Sequence, residues 1–320
     1  MMRRLSLSLA VLMGVGFWAT ALAPPIANAQ EVERVALLIP TSGRYEPIGL
    51  MILAQAEALG ARDIMTTLDT ACDADTAASA ARQAVSRGAT HIIGLPCIDA
   101  FDAALPILAE ANVKMTVIGL QAADVATREN VRRVAPTLEQ MTTLLADYLG
   151  QQWREVPFAV IDDGTLAGRQ WAEQVTAKLS LQQMTPVYRD TFRPLLENQV
   201  GLVRRLERSG ATHVLIGGDA RDAAVIAADA DRVGVPIDIA GGQTLVGSAE
   251  DGALPEGAVI VAPLPFETLA KRALASVLQP NDEEALAFDE NGEPIKTLAS
   301  VFVVRNGVLE ALPLPGGTDG

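Results

Sequence analysis

The chain has 320 residues, and 49% of them are hydrophobic, so it can bury a full core and is long enough for two lobes. Its formal net charge is −14 at pH 7. This acidic balance disfavours nucleic acid and anionic membrane surfaces as partners, because both require basic patches on the protein.

The first 29 residues have the pattern of a cleavable secretory signal peptide. Arg3 and Arg4 precede an apolar stretch at 5–23, and small residues follow at 27–29. The stretch is short for a membrane span and lacks a basic stop-transfer flank. We therefore expect cleavage after Ala29, export to the periplasm and no membrane insertion of the mature protein. Cleavage removes two of 25 basic residues and none of the 39 acidic ones, which leaves a net charge of −16.

Cys72 and Cys97 are the only two cysteines. In an oxidising compartment they predict a disulfide, since two thiols do not make the four-ligand cluster that structural zinc needs. Such a cross-link would contribute about 3.5 kcal/mol in the chain-entropy model. The alternative is a pair of free, buried thiols.

Apolar strand-like runs alternate with helical patterns along the mature chain. In the first half, the predicted strands are 35–39, 64–68, 91–95, 113–118 and 131–134, and the predicted helices are 48–59, 75–86, 99–111 and about 137–150. In the second half, the strands are 158–161, 186–188, 213–216, 237–240 and 300–304, and the helices are 166–179, 197–209, 220–233 and 266–278. This alternation predicts an α/β protein with two Rossmann-like lobes of doubly wound parallel sheet.

Both histidines lie in an internal echo of the sequence, in which Gly-Ala-Thr-His opens a strand at 88–91 and again at 210–213. Ligands of open parallel sheets bind at the carboxyl ends of strands, so His91 and His213 are predicted to be structural. No imidazole then remains for a Ser-His-Asp or Cys-His apparatus or for a hydrolytic zinc site. No phosphate-binding glycine loop is present either. The sequence predicts a protein that is not an enzyme and needs no cofactor.

Asp162 and Asp163 follow a predicted strand directly. Two adjacent carboxylates can perform acid-base chemistry, but acidic residues at a strand-to-helix turn are more often N-caps. We take the N-cap as the main interpretation of this pair.

Five motifs carry a family resemblance. They are Ser42-Gly43 after the first strand, Asp-Thr-Ala-Cys-Asp at 69–73, Ile-Ile-Gly-Leu-Pro-Cys at 92–97, Ile-Gly-Gly at 216–218 and Phe-Asp-Glu-Asn-Gly at 288–292. With them the chain resembles the leucine/isoleucine/valine-binding proteins, which are type I periplasmic substrate-binding proteins of ABC transporters. The resemblance implies two lobes joined by three crossovers and a hinge, a small-molecule ligand in the cleft and delivery to a membrane permease.

The domain boundaries expected from this resemblance are approximate in the last part of the chain. The N-terminal lobe comprises 30–138 and about 263–286, and the C-terminal lobe comprises 139–262 and about 287–312. The tail at 313–320 is predicted to be disordered. Only one helix, 266–278, is predicted where the family has several. Either its apolar residues repack across the gap, which we favour, or the bare face meets a partner subunit; these residues are Phe266, Leu269, Leu274 and Val277.

The resemblance also carries over the ligand-contact positions, most of which depart from the amino-acid-binding pattern. Ile98 replaces a serine that holds the ligand carboxylate, and Gln243 replaces the acid that takes the ammonium. An aromatic becomes Ala167 and a tyrosine becomes Asp219. The complete candidate set is Ser42, Arg44, Tyr45, Ile98, Asp99, Gly119, Gln121, Ala167, Asp219 and Gln243. Arg44 could equally be a solvated loop charge, and Asp219 a helix N-cap.

The loss of an acid at Gln243 would weaken the binding of an ammonium roughly ten- to a hundredfold, although Asp219 could supply the charge from another direction. The sequence therefore predicts the periplasmic binding component of an ABC import system, with a small polar ligand that need not be a branched-chain amino acid. The alternative is an extracytoplasmic sensor or interaction module that kept the fold without transport.

Overall fold

The computed structural model describes residues 34–122, 125, 128, 130–247 and 252–313. The predicted signal peptide, its cleavage site after Ala29 and all of the predicted tail except Pro313 lie outside these residues. Within the described part of the chain, no helix is long and apolar enough to cross a membrane.

The first lobe is built on a parallel sheet with the strand order β2-β1-β3-β4-β5. Its strands are β1 (Val35–Ile39), β2 (Thr66–Asp69), β3 (His91–Gly94), β4 (Lys114–Ile118) and β5 (Val131–Val134). Its helices are α1 (Glu46–Ala58), α2 (Ala74–Ser86) and α3 (Ile98–Glu110), and a 3-10 turn spans Arg62–Ile64.

The second lobe is built on a seven-stranded sheet with the order β12-β11-β10-β9-β8-β6-β7. Its strands are β6 (Phe158–Asp162), β7 (Tyr188–Thr191), β8 (His213–Gly217), β9 (Asp238–Gly241), β10 (Val259–Pro263), β11 (Ala299–Arg305) and β12 (Val308–Ala311). Its helices are α4 (Leu138–Gln152), α5 (Leu166–Leu181), α6 (Val200–Ser209) and α7 (Ala220–Val233), with a 3-10 turn at Gln243–Leu245. Strands β6 to β10 are parallel, whereas β11 and β12 are antiparallel additions at one edge.

Each sheet is covered on both faces, as a doubly wound fold requires. In β1, Leu38 packs into the cluster formed with α2 and α3, while Leu37 and Ile39 pack into the opposite cluster with α1. Successive side chains of a strand point to opposite faces, so a strand buried on both sides must be apolar at every position. This explains why central strands such as β1 appear in the sequence as unbroken apolar runs.

Helix α8 (Phe266–Leu278) returns from the second sheet and packs against the first lobe. Leu269 and Leu274 are fully buried in the cluster that contains Leu37 and Ile118. Phe266 and Val277 pack against the same cluster. The repacking interpretation of the shortened return is therefore confirmed.

The chain passes between the sheets three times: after β5, after β10 and before β11. The segment before β11 lies against the first lobe, where Leu298 is buried in the core and the Gly292 carbonyl accepts a hydrogen bond of 2.9 Å from the Arg133 backbone N–H. Glu293 in the same segment forms an ion pair with the fully buried Arg133. The lobe boundaries stay a prediction, and these contacts favour a third crossing near residue 298.

Strand β10 has no counterpart among the predicted strands, and two further elements of the second lobe begin later than predicted. Strand β7 begins at Tyr188, not at residue 186, because it is a polar edge strand in which Arg205 and Tyr188 bind Asp190. Helix α6 begins at Val200, not at residue 197, since the backbone N–H of Gln199 donates a hydrogen bond to the carboxylate of Asp229. Neither contact follows from hydrophobic periodicity.

Candidate functional site

A cavity of about 310 Å³ lies between the lobes at the carboxyl ends of β4, β6, β8 and β9. This is the position at which open parallel sheets bind ligands. The first lobe contributes Gln121, and the second lobe provides the rest, including Leu138 and Met141 of helix α4. The remaining lining residues are Asp163, Thr165, Ala167, Gly168, Gln170, Trp171, Gly218, Asp219, Gly242, Gln243 and Thr244.

Gln121 and Gln243 join the two lobes across this cavity. The amide of each donates to the carbonyl oxygen of the other, and both N–O distances are 2.9 Å. Gln121 lies shortly after β4, and Gln243 begins the 3-10 turn after β9. A primary amide is both donor and acceptor, so each of the two side chains uses one N–H and its carbonyl oxygen in this pair.

Two carboxylates line the second-lobe side of the cavity. Asp163 Oδ1 accepts hydrogen bonds from the backbone and the hydroxyl of Thr165, at 2.9 and 2.7 Å. Asp219 Oδ1 caps α7 by accepting 3.0 Å from the backbone N–H of Asp222. Both side chains use Oδ1 for these contacts, and their Oδ2 atoms accept no hydrogen bond from the described residues.

The N-cap interpretation of the 162–163 pair is wrong. Thr165 caps α5, with its hydroxyl accepting 3.0 Å from the backbone N–H of Gly168. Asp163 holds Thr165 in this position instead, and Asp162 accepts from the Gly164 backbone and the Thr191 hydroxyl. The N-cap lies at Thr165, beyond the aspartate pair, because Gly164, with a φ of 76°, turns the backbone before the helix begins. For Asp219, by contrast, the N-cap interpretation is confirmed, and the residue also lines the cavity.

A third carboxylate, that of Asp222, lies behind this wall on α7. Its side chain is 1% exposed, Oδ1 accepts 2.8 Å from the Leu195 backbone, and Oδ2 has no hydrogen-bond partner among the described residues. Burial raises the pKa of Asp222, and the nearby charges of Asp219 and Asp163 raise it further. Two carboxylates therefore line the second-lobe side of the cavity, and a third lies behind them.

An apolar wall completes the cavity. Trp171 on α5 is 8% exposed and lies so close to Gly242 that a Cβ there would be 2.8 Å from the indole ring. Leu138 and Met141 of α4 extend this wall. The Trp171 Nε1–H is buried and has no partner among the described residues. Glycine at 242 thus lets the ring form part of the pocket surface.

Four of the ten predicted site residues meet in the cavity: Gln121, Ala167, Asp219 and Gln243. The other six are Ser42, Arg44, Tyr45, Ile98, Asp99 and Gly119, and none of them lines it. Their roles in ligand binding stay a prediction, as do those of the first four.

Four of these six are already engaged within the protein. Ser42 donates a 2.5 Å hydrogen bond to Asp69, and the Arg44 guanidinium lies 4.9 Å from the centre of the Tyr45 ring. The Gly119 backbone N–H donates 3.1 Å to the Val134 carbonyl.

Ile98 and Asp99 form the exposed first turn of α3, directly after Cys97. The predicted disulfide of Cys97 with Cys72 is present, with a Cα–Cα distance of 5.5 Å. It ties the start of α3 to the loop after β2 and lies outside the cavity lining.

Trp171, Thr165 and Thr244 line the pocket but are not among the residues predicted from the sequence. Thr165 and Thr244 follow strands β6 and β9 closely, so the rule that ligands bind at strand carboxyl ends could have found them. Trp171 belongs to the apolar face of α5 and is indistinguishable there from a core residue.

Both histidines open strands, β3 and β8, as predicted. His91 Nε2 lies 2.9 Å from the Thr116 hydroxyl, and His213 Nε2 lies 3.3 Å from Asp238. Within the described residues, no group of three or more His, Cys, Asp or Glu side chains is arranged to hold a metal ion.

Two lobes of doubly wound sheet, three crossings and a pocket between the lobes define a type I periplasmic binding protein fold. The sequence profile of periplasmic binding proteins matches residues 34–274, so the chain belongs to the periplasmic binding protein family. This is a family of solute-binding proteins and not of enzymes.

A search for individual relatives gives a similar protein of low sequence identity. The Leu/Ile/Val-binding protein homolog 3 of Brucella melitensis is 26% identical over 188 residues, which are 58% of this chain and 51% of that protein. The chain thus matches about half the length of this curated relative.

Solved structures show the same fold at low identity. A putative branched-chain amino acid ABC transporter protein from Rhodospirillum rubrum has a TM-score of 0.72 at 15% identity, over 88% of this chain and all of that one. A solute-binding protein from R. palustris in complex with benzoate has a TM-score of 0.56 at 16% identity, over 88% and 95%.

Proposed function

We propose that this protein is the periplasmic solute-binding component of an ABC import system and that it delivers a small polar ligand, an amino acid or related compound, to a membrane permease. One observation carries the proposal: residues of both lobes line the cavity of about 310 Å³ and meet across it at Gln121 and Gln243. This volume is at the lower end for small-molecule sites. A ligand there would touch both lobes and couple its binding to their closure.

The family supports solute binding but leaves the ligand open. A curated relative is named for leucine, isoleucine and valine, and a protein of the same fold holds benzoate. Since function resides in the site and not in the fold, the pocket residues of this chain must decide the ligand. The predicted signal peptide supports the periplasmic location.

Thermal unfolding of the mature protein, residues 30–320, tests ligand binding. The panel comprises amino acids, amines, short carboxylates, amides and aromatic acids. A ligand at a hundred times its Kd stabilises the folded state by about 2.7 kcal/mol, which is readily seen as a rise in Tm. If no compound of the panel raises the Tm, the proposed function is contradicted.

A pair of variants links any such shift to the pocket. Gln243→Ala removes the amide that joins the lobes, so we expect a loss of most of the ligand-induced shift. Gln279→Ala changes the same residue type at an exposed position after α8, outside the cavity, and should leave the shift intact. Equal shifts in both variants would place the ligand elsewhere.

A sensor without transport is the second candidate. The observation in its favour is that positions expected to hold a transported amino acid are apolar or engaged within the protein, namely Ile98 and Gly119. Uptake of a radiolabelled ligand by cells that lack the gene distinguishes the two functions. An importer component predicts a loss of uptake, whereas a sensor predicts unchanged uptake by the transport machinery itself.

A further inference from the structure

The charged side chains of the cavity are of one sign. Asp163 and Asp219 line it, and no Lys, Arg or His is among its described lining residues. The basic side chains in the first turns of α5 and α7 interact with other groups: the Arg169 Nε lies 3.7 Å from Asp162, and the exposed Arg221 lowers the pKa of Asp222 in part. An anionic ligand would therefore meet two carboxylates without a counter-charge.

Helix dipoles oppose this negative charge but do not cancel it. The N-termini of α5 and α7 both face the carboxyl edge of the second sheet, and each contributes about half a positive charge. Together they amount to about one positive charge against two carboxylates. The balance stays negative by about one charge, which favours a cation.

The positions that would hold a ligand carboxylate are not available. Ile98 has no hydroxyl, and it lies outside the cavity lining. The Gly119 N–H is already donated to Val134. The Gln121 amide is paired with Gln243. An amino-acid zwitterion would thus lack the carboxylate partners expected from the resemblance, and its carboxylate would share the cavity with Asp163 and Asp219.

The opposite wall suits an alkyl group. Trp171, Met141 and Leu138 present carbon and sulfur surface to the cavity. An aromatic ring also attracts a cation that lies over its face. The site therefore combines negative charge on one side with apolar surface on the other.

We propose that the interlobe cavity binds an organic ammonium cation that carries no carboxylate, with Asp219 and Asp163 as its counter-charges and Trp171 against its alkyl part. This inference rests on the proposed function, since it names the ligand class of the same pocket. It places the ligand among the amines that correspond to amino acids without their carboxylate.

Four probes of different charge test the ligand class by thermal unfolding at equal concentration and ionic strength. Butylamine and putrescine should raise the Tm, whereas leucine and benzoate should not. If leucine or benzoate raises the Tm and both amines fail, the inference is overturned while solute binding stands. If none of the four raises the Tm, the inference is overturned. If no compound of the larger panel described above raises the Tm either, the proposed function is overturned too.

Titration calorimetry with the amine that binds then tests the counter-charges. Asp219→Asn keeps an N-cap, because Asn caps helices as well as Asp does, and removes only the charge. We expect an affinity about ten- to a hundredfold weaker, the value of a hydrogen bond to an ionised group. Asp163→Asn retains the oxygen that holds Thr165 and should weaken binding in the same direction.

Asp73→Asn is the matched control. Asp73 caps α2 with the same hydrogen bond to a backbone N–H, at 2.9 Å from Thr76, but lies outside the cavity. Its amine affinity should equal that of the wild type. Wild-type affinity in both Asp219→Asn and Asp163→Asn, with folding verified by the Tm, would overturn the assignment of the counter-charges.

Discussion

The carboxyl strand ends of the two lobes use their polar groups in opposite ways. In the first lobe these groups bind one another: Ser42 donates to Asp69, and the Gly119 N–H donates to Val134. In the second lobe, Asp163, Asp219 and Gln243 line the cavity. Gln121 is the only described cavity residue that belongs to the sheet loops of the first lobe.

This difference indicates that the two lobes, which share one architecture, use the polar groups at their strand ends for different purposes. Polar groups satisfied within a lobe stabilise it, whereas groups with unused acceptor capacity can recognise a ligand. Substitutions at the strand ends of the first lobe should therefore change stability, and those in the second lobe should change ligand binding.

The largest effect on stability is expected from Glu293→Gln, which leaves the Arg133 guanidinium without its counter-charge. The Arg133 side chain is fully buried, and its partners among the described residues are Glu293 and the Ala122 carbonyl. An uncompensated buried charge costs about 3 to 5 kcal/mol. Urea unfolding should show a loss in this range.

Glu310→Gln is the matched control for this change. Glu310 pairs with Arg305 at 3.3 Å on the second sheet, and both side chains are about half exposed, at 49% and 56%. Exposed pairs contribute only about 0 to 1 kcal/mol, so the variant should unfold nearly as the wild type does. Similar losses in the two variants would show that burial of Arg133 is not decisive.

The second largest effect concerns the disulfide. Replacing both Cys72 and Cys97 by serine opens a loop between residues 25 apart, which should lower the free energy of unfolding by about 3.5 kcal/mol. The affinity for a pocket ligand should not change, since neither cysteine lines the cavity. A large loss of affinity in the folded double variant would contradict the separation of stability from binding.

The sequence predicted the architecture well because parallel strands buried on both faces are apolar at every position, as in β1. It missed the start of β7, whose polar side chains are satisfied by Arg205 from a distant helix. For the site, the resemblance supplied Gln121 and Gln243 but not their direct pairing. Ser42 was expected at the ligand, and its engagement by Asp69 depends on a contact 27 residues away that no local pattern shows.

The third prediction compares one carboxylate of each lobe as pH changes. Burial works to raise the pKa of Asp69, but hydrogen bonds from Ser42 and from the Thr41 and Ala71 backbones outweigh it, so the pKa is lowered. Its stabilisation is present above the unfolded pKa of about 4 and is lost as pH falls through the folded pKa. Asp69→Asn should destabilise by about 1 kcal/mol at pH 7 and less at pH 3.

Asp222 should behave in the opposite way, since burial and neighbouring carboxylates raise its pKa. Its contribution to stability is present below about pH 4 and is lost as pH rises through the folded pKa. Asp222→Asn keeps the oxygen that accepts from Leu195, so it should gain stability relative to the wild type as pH rises. Thermal unfolding of both variants between pH 3 and 7 measures how the stability of each, relative to the wild type, changes with pH. Changes of the same sign in Asp69→Asn and Asp222→Asn would contradict the expected difference between the two carboxylates.

The smallest effect concerns His213 at the start of β8, far from the carboxyl edge that carries the pocket. Burial lowers the pKa of His213, and the nearby Asp238 carboxylate only partly opposes it. The unfolded chain, in which histidine has a pKa of about 6.5, therefore binds more protons just below that pH than the folded protein does. Stability must then rise with pH through this window and fall as the pH drops below it. The urea midpoint of unfolding, measured between pH 5 and 8, should change less with pH in His213→Gln than in the wild type. The ligand affinity at pH 8 should not change. A wild-type slope that persists in the variant would assign the titration to another group.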